Sequence, residues 1–296
     1  MLSSLRMPKQ QITIIIVTYN SEKYIVDCLL SILESNTKNI SVEIIVIDNN
    51  SSDLTVSRVK ELRKSRSGLT LIQNTNNYGF AHATNQGILR RKKTDYCLLL
   101  NPDTIVNNNS IRDLVRCATK NKAGIVGGNT YDRFGIQNGS YFRFPNIFIA
   151  IFDFTNLRKL SRSGYWHNYF YYKDVEQSKE NCFPVEVVTG GFMLVSSNAI
   201  QKIGLFDERF FMYLEDVDYC IRASHAGITV FHTNLSKIVH FAGRSSNNKD
   251  RIRHSSWLRS RKFYFLKNFN LLENLIIQPI FLLDDLFILF RLITNR

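Results

Sequence analysis

Four apolar runs in the first hundred residues constrain the fold more than any other feature. Ile12–Val17 (ITIIIV), Val42–Ile47 (VEIIVI), Leu69–Gln73 and Tyr96–Leu100 (YCLLL) are short and mostly β-branched or aliphatic. Such runs are strands covered on both faces. Between them lie segments of helical period. Tyr24, Cys28, Ile32 and Leu33 follow a candidate N-cap at Ser21, and Leu54–Leu62 and Phe80–Arg90 come after. This β-α-β-α-β-α-β order predicts an α/β fold, a doubly wound, mostly parallel twisted sheet flanked by helices. Ligands bind such sheets beyond the C-terminal strand ends. The polar clusters Asp48–Asp53 and Asn101-Pro102-Asp103 stand there, each just past a strand.

From about Asp132 to Lys179 the chain is aromatic-rich, with Tyr141, Phe142, Trp166 and Tyr171 among many, and reads as irregular, partly helical and acceptor-facing. Strand character returns at Val185–Val195 around Gly190-Gly191. Glu215–Ser224 is helical, Thr229–His232 and Lys237–Phe241 are strands, and two helices close the chain. The five cysteines are an odd number without C-x-x-C spacing, so buried, reduced thiols are expected, as in a cytoplasmic protein. Met1–Arg6 is too polar for a signal peptide, and no apolar run has the length of a membrane span.

Each polar cluster has a chemical reading beside a structural one. Asp48 can accept hydrogen bonds from a base or ribose, or it can be a turn carboxylate. Asp103 can hold a hard divalent cation that bridges a diphosphate, or the tripeptide can be an Asx-Pro turn. Gly79, just before a helix, allows close backbone approach, with free N–H groups suited to an anion. No G-x-G-x-x-G or Walker A loop occurs. Glu215, Asp216 and Asp218 favour the dipole of a helix start, yet three acids exceed what capping requires, and one can serve as a general base. His240 ends a strand and is followed by Gly243 and Arg244, residues suited to a phosphate-facing loop.

In this order the segments resemble the family 2 glycosyltransferases, which have the GT-A fold. The matching pieces are Ile15–Asn20, Val46–Asp53, Asn76-x-x-Gly79-Phe80-Ala81 and Leu99–Asp103, then Gly190–Leu194, Phe206-Asp207-x-x-Phe210–Tyr213-x-Glu215-Asp216-x-Asp218, and His240. The resemblance covers about residues 10–245, and its pattern is similar to that of bacterial rhamnosyltransferases that build O-antigen and other cell-surface polysaccharides. It implies a nucleotide-sugar donor and a divalent cation, Mg²⁺ or Mn²⁺. Thr18, Tyr19, Asn20, Asp48, Asn50, Gly79 and Asn101 would bind the nucleotide-sugar, and Asp103 the metal, with His240 as a second ligand or a diphosphate contact. Asp216 would be the catalytic base and Glu215 would orient the acceptor, with Gly191, Asp218 and Arg244 on the acceptor side. Where the family's metal motif often has Asp-x-Asp, this chain has Asn101, one charge fewer.

The remaining residues, 246–296, are basic and then amphipathic. Lys and Arg number 38 against 25 Asp and Glu, a net charge of +13, and residues 244–267 carry eight of those cations against Asp250 alone. Leu271–Ile293 is apolar but broken by Glu273, Pro279, Asp284 and Asp285. Two placements suit such helices: a peripheral contact with an anionic inner leaflet, or packing on the catalytic domain or a partner subunit. No DNA- or RNA-binding module is present, so nucleic acid is not an expected partner. The expected activity is inverting transfer of a sugar, L-rhamnose from dTDP-rhamnose, to an oligosaccharide or lipid-linked acceptor. The alternatives are a transferase using a UDP-hexose or UDP-N-acetylhexosamine, and a non-catalytic nucleotide-binding scaffold; an oligomer is compatible with each.

Overall fold

The computed structural model describes the backbone of residues 9–160, 164–174, 180–241 and 247–294, and the side chains of these except 247–250 and 292–294. The first half follows the alternation expected. It runs β1 (Gln10–Thr18), α1 (Ile25–Leu33), β2 (Ile40–Asp48), α2 (Thr55–Ser65), β3 (Leu69–Gln73), α3 (Phe80–Arg90) and β4 (Tyr96–Leu100). These four strands are parallel, in the order β3-β2-β1-β4. Successive side chains of a strand point to opposite faces. Ile12, Ile14 and Ile16 therefore feed one buried cluster, while Ile15 feeds the other, with Ile45, Ile47 and Leu99. That two-sided demand is why the run shows no polar alternation. Ser21 does not cap α1; its carbonyl accepts from the amides of Tyr24 and Ile25, which sets up the turn that precedes the helix.

A stretch with weaker sequence signals supplies the second half of the sheet. Next come β5 (Thr104–Val106), α4 (Ser110–Asn121) and β6 (Ile125–Tyr131), then the short β7 (Gln137–Asn138), β8 (Tyr141–Phe142), α5 (Ile147–Phe152) and α6 (Tyr165–Phe170). After them follow β9 (Cys182–Pro184), β10 (Val187–Val188), β11 (Phe192–Ser196), α7 (Ser197–Ile203), α8 (Glu215–His225) and β12 (Val230–His240). The sheet continues from β4 through β11, β6 and β12 to β5. β11 is antiparallel to both neighbours, and β12 is parallel to β6. The expected strand over 185–195 is split at Gly190-Gly191 into β10 and β11. The two strands expected over 229–241 are one strand, irregular between Thr233 and Lys237.

Two helices end the chain, α9 (Asn247–Asn268) and α10 (Leu271–Thr294), the latter continuing through Pro279. Tyr264 and Phe265 of α9 and Ile277 and Phe281 of α10 join the same buried cluster as Val188 and Phe210. Among the described residues no helix is long and apolar enough to cross a membrane. Three cysteines, Cys28, Cys97 and Cys220, are the buried thiols expected. The other two correct that expectation: α4 and β9 place Cys117 and Cys182 with Cα atoms 6.1 Å apart, joined as a disulfide.

Candidate active site

Strand register brings distant motifs to one edge of the sheet. Phe192 lies opposite Leu100, so Gly191 stands beside Asn101, whose amide donates to the Gly191 carbonyl at 3.0 Å. A Cβ on Gly191 would come within 2.7 Å of the Asn101 side-chain nitrogen, so the close approach requires glycine. His240 lies opposite Thr104 at the end of β12, which sets its Nε2 3.0 Å from Asp103 Oδ1 and 3.4 Å from Asn101 Nδ2. On the far side, α8 begins at Glu215. The Gly190 amide donates to Asp216 Oδ2 at 2.8 Å and ties that helix start to the sheet.

These groups line a single cavity of about 770 Å³. Thr18, Tyr19, Asn20, Gly79, Asn101, Asp103, Gly191, Glu215, Asp216 and His240 all face it. Two expected nucleotide contacts stand back from it. Asp48 is 1% exposed and its carboxylate turns inward, accepting from Thr18 Oγ1 at 2.9 Å and from the Ser51 amide and hydroxyl. It thereby shapes the β2 turn that presents Asn49 to the cavity. Asn50 is exposed at the tip of that turn with φ 64.

Gly79 has φ +87, and a Cβ there would land on the Phe211 carbonyl. The N–H groups beside it are already engaged, contrary to the expectation of free donors. The Gly79 amide donates to Asn77 Oδ1 at 3.0 Å and the Phe80 amide to the Phe211 carbonyl at 2.7 Å. Asn49 Nδ2 donates to the Gly79 carbonyl at 3.0 Å. The loop is thus locked between the donor half and the Phe210–Tyr213 segment.

The two acids at the start of α8 differ in surroundings. Glu215 is 6% exposed and its Oε2 has no partner. Burial, then the neighbouring Asp216 charge, raise its pKa well above 4.5. Burial also raises Asp216, but backbone amides of Gly190 and Val217 donate to its carboxylate and oppose the rise. Donors to an ionised carboxylate favour that form. Asp216 is therefore the more readily ionised of the two.

Asp218 does not belong to the cavity, which corrects its expected acceptor-side role. It is fully buried, 3.0 Å from Arg222 Nε and 2.6 Å from Lys267 Nζ, and so ties α8 to α9. Helical geometry explains the difference, because a residue two positions after Asp216 points to another face. Arg244 lies outside the described residues. Sequence reasoning missed Asn49, Asn77 and Tyr24, and also Arg158, His167, Arg253 and Trp257, which line the other side of the cavity. Trp257 and Arg253 come from α9, and no local pattern marks a helix so far along the chain as part of the cleft.

For a divalent cation, Asp103 and His240 offer one carboxylate and one imidazole in contact, a donor set compatible with Mn²⁺ or Mg²⁺. Among the described residues no group of three or more His, Cys, Asp or Glu forms a metal cage. The pair fits a cation completed by substrate phosphate oxygens.

The sequence model of glycosyl transferase family 2 matches residues 13–204. The hexosyltransferase Agl10 of low-salt glycan biosynthesis in Haloferax volcanii is 26% identical over 241 residues, 77% of this chain and 66% of that protein. The rhamnosyltransferase WbbL of Escherichia coli is 27% identical over 77% of this chain and 83% of its own length. The N-acetylglucosaminyl-diphospho-decaprenol L-rhamnosyltransferase of Mycobacterium tuberculosis is 25% identical over 79% and 76%. Among solved structures, the mannosyltransferase PcManGT from Pyrobaculum calidifontis, in complex with GDP-Man and Mn²⁺, superposes with a TM-score of 0.61 at 17% identity, covering 89% of this chain and 66% of that one. With the motifs of the cleft and a matching sequence model over most of its length, the chain belongs to glycosyl transferase family 2.

Proposed function

We propose that the chain is an inverting glycosyltransferase that transfers L-rhamnose from dTDP-rhamnose to a lipid-linked oligosaccharide, in the synthesis of an O-antigen or other cell-surface polysaccharide. Residues 10–245 form its catalytic unit and 246–296 its appended helices. One observation carries the reading of an active transferase: a hydrogen-bonded Asp103–His240 pair and the Glu215–Asp216 pair line the same cavity. The names of the bacterial relatives, two of them rhamnosyltransferases, support the donor sugar. The decaprenol-linked acceptor in one name supports the lipid-linked class.

An acceptor hydroxyl is a poor nucleophile at neutral pH, so a base must take its proton as it attacks the anomeric carbon. Asp216 does this; its charge is held in place by the Gly190 and Val217 amides. Glu215, keeping its proton, donates a hydrogen bond that orients the acceptor. Thr18, Tyr19, Asn20 and Asn49 hold the nucleotide between β1 and the β2 turn. Asp103 and His240 would hold a divalent cation, which would supply positive charge against the diphosphate leaving group. A single in-line displacement inverts the anomeric centre and needs no carboxylate nucleophile.

The test is a melting-temperature panel of dTDP, UDP and GDP, each with and without Mg²⁺ or Mn²⁺, because a ligand that binds the folded state raises the midpoint. Selective, cation-assisted stabilisation by dTDP is the expected result. A preference for UDP would move the donor to a UDP-hexose or UDP-N-acetylhexosamine. No response to any nucleotide would overturn the transferase and the nucleotide-binding scaffold alike.

A further inference from the structure

The outer face of α10 is apolar without interruption. Every exposed side chain from Leu271 to Phe290 is hydrophobic, and Leu271, Leu272, Leu275, Leu283 and Phe290 are each more than 60% exposed. At 1.5 Å per residue this stripe is about 30 Å long. The acids that break the run in sequence are all turned elsewhere. Arg261, 1% exposed, donates through Nη1 to Asp284 Oδ2 at 2.7 Å and through Nη2 to Asp285, while Lys262 reaches Asp285 at 2.6 Å. Glu273 accepts from the Asn270 amide at the helix start. The buried Arg261 thus draws both aspartates inward, the exposed positions from Leu271 to Phe290 are left uncharged, and the one exposed charge that follows them, Arg291 over the Phe287 ring, is basic.

The neighbouring helix, α9, has the opposite character. The exposed described side chains of α9 are Arg251, His254, Arg259 and Leu266, with no acid among them. The chain as a whole carries +13. An isologous contact through α10 would set two such basic surfaces against each other, whereas an anionic bilayer complements them. We propose that α10 lies flat in the surface of an anionic lipid bilayer, its leucine and phenylalanine face in the acyl boundary and the basic residues of α9 at the headgroups. A helix so placed sinks roughly 5–10 Å and does not cross.

The segment over α10 connects this surface to the cleft. The Asn156 amide and Nδ2 both donate to Asp284 Oδ1 at 2.9 Å, while Phe154 and Arg158, either side of it, line the cavity. Docking therefore brings the acceptor side of the cleft close to the lipid surface; the benefit of that for catalysis rests on the lipid-linked acceptor proposed above, and the docking itself does not.

The test is flotation of the full chain with vesicles of phosphatidylglycerol and phosphatidylethanolamine, against vesicles of phosphatidylcholine, at low and high salt. The wild-type chain is expected to float with the anionic vesicles and to bind neutral ones, or anionic ones in high salt, about tenfold or more weakly. The variant Leu275→Glu/Leu283→Glu/Leu286→Glu, altered only at exposed positions, is expected to lose flotation while keeping the wild-type melting temperature and nucleotide response. Arg251→Glu/Arg259→Glu should weaken binding to anionic vesicles alone. Equal flotation of the triple variant overturns the proposal, as does a wild-type chain that stays with the soluble fraction. A wild-type dimer in light scattering that the triple variant makes monomeric assigns the face to a second copy and equally overturns it. Vesicle binding without any nucleotide response would instead sink the catalytic reading and leave the docking standing.

Discussion

The Gly190 amide points at Asp216 Oδ2 from 2.8 Å, and so the turn between β10 and β11 holds the more readily ionised member of the Glu215–Asp216 pair. A Cβ on Gly190 would lie 3.3 Å from the Asp216 Cβ, so the backbone and the carboxylate meet with little room between them. The arrangement fixes the charge in place before any substrate arrives, which is what a base acting in a preorganised site requires.

Asp216→Asn keeps the shape and removes the base. Transfer should fall by about 10²–10⁴-fold, while the nucleotide-induced rise in melting temperature stays. Full activity in a transfer assay would remove Asp216 from the role. In the wild type, burial lifts this acid above its ordinary value of 3.8, so the acid limb of the kcat profile should have its midpoint above that value.

Glu215→Gln should make the protein more stable and less active. Above pH 4.5 the unfolded chain ionises Glu215 while the folded chain keeps the proton, so the wild type loses stability as pH rises toward the raised folded value. Glutamine carries no such penalty. At pH 7 the variant should melt higher, by about 2–4 °C for each kcal/mol recovered, and the difference should vanish near pH 4. Identical melting curves at pH 7 would mean that Glu215 is ionised in the folded protein.

His240→Ala removes the imidazole in contact with Asp103. Apparent cation affinity, read from the Mn²⁺ dependence of nucleotide binding, should fall by roughly 10–100-fold. An unchanged Mn²⁺ titration would separate His240 from the cation.

Asp218→Ala is expected to damage the fold and spare the chemistry. It leaves Arg222 without its buried counter-charge and Lys267 with Asp207 alone, and such losses cost about 3–5 kcal/mol for fully buried pairs; with both cations about one-quarter exposed and Lys267 still paired, the lower part of that range applies. A lower melting temperature with unchanged acceptor KM in the surviving folded fraction is the expected outcome. A selective rise in KM at wild-type stability would return Asp218 to the acceptor side.

The sheet's parallel half was legible because its strands announce themselves. Ile12–Val17 and Tyr96–Leu100 are buried on both faces, and mostly aliphatic residues fill them. β6 was missed because Gly127, Gly128 and Asn129 interrupt its apolar signal, although all three are buried. α4 was missed too, since its apolar residues Ile111, Leu114, Val115 and Ala118 alternate with charges that mimic a loop. In the cleft, residues that follow a strand directly, such as Asn101 and Asp103, could be placed from sequence. Asp48 could not be oriented, because turning inward to Thr18 or outward to a ligand depends on a three-residue turn. Trp257 and Arg253 reach the cavity only through the packing of α9 on Phe210 and its neighbours, and no local pattern encodes that.

The contact between Gly79 and Phe211 also constrains how this chain can be recombined with a relative. In the function proposed above, the first residue lies in the half of the chain that would hold the nucleotide, and the second in the half that would carry the base, Asp216. A chimaera joined between them with an unmatched partner would place a side chain against a carbonyl that has no space for it. Shuffling of the two halves is therefore expected to keep the fold only when the Asn77–Phe80 loop travels with the Phe210–Tyr213 segment, two pieces of sequence that form one structural unit.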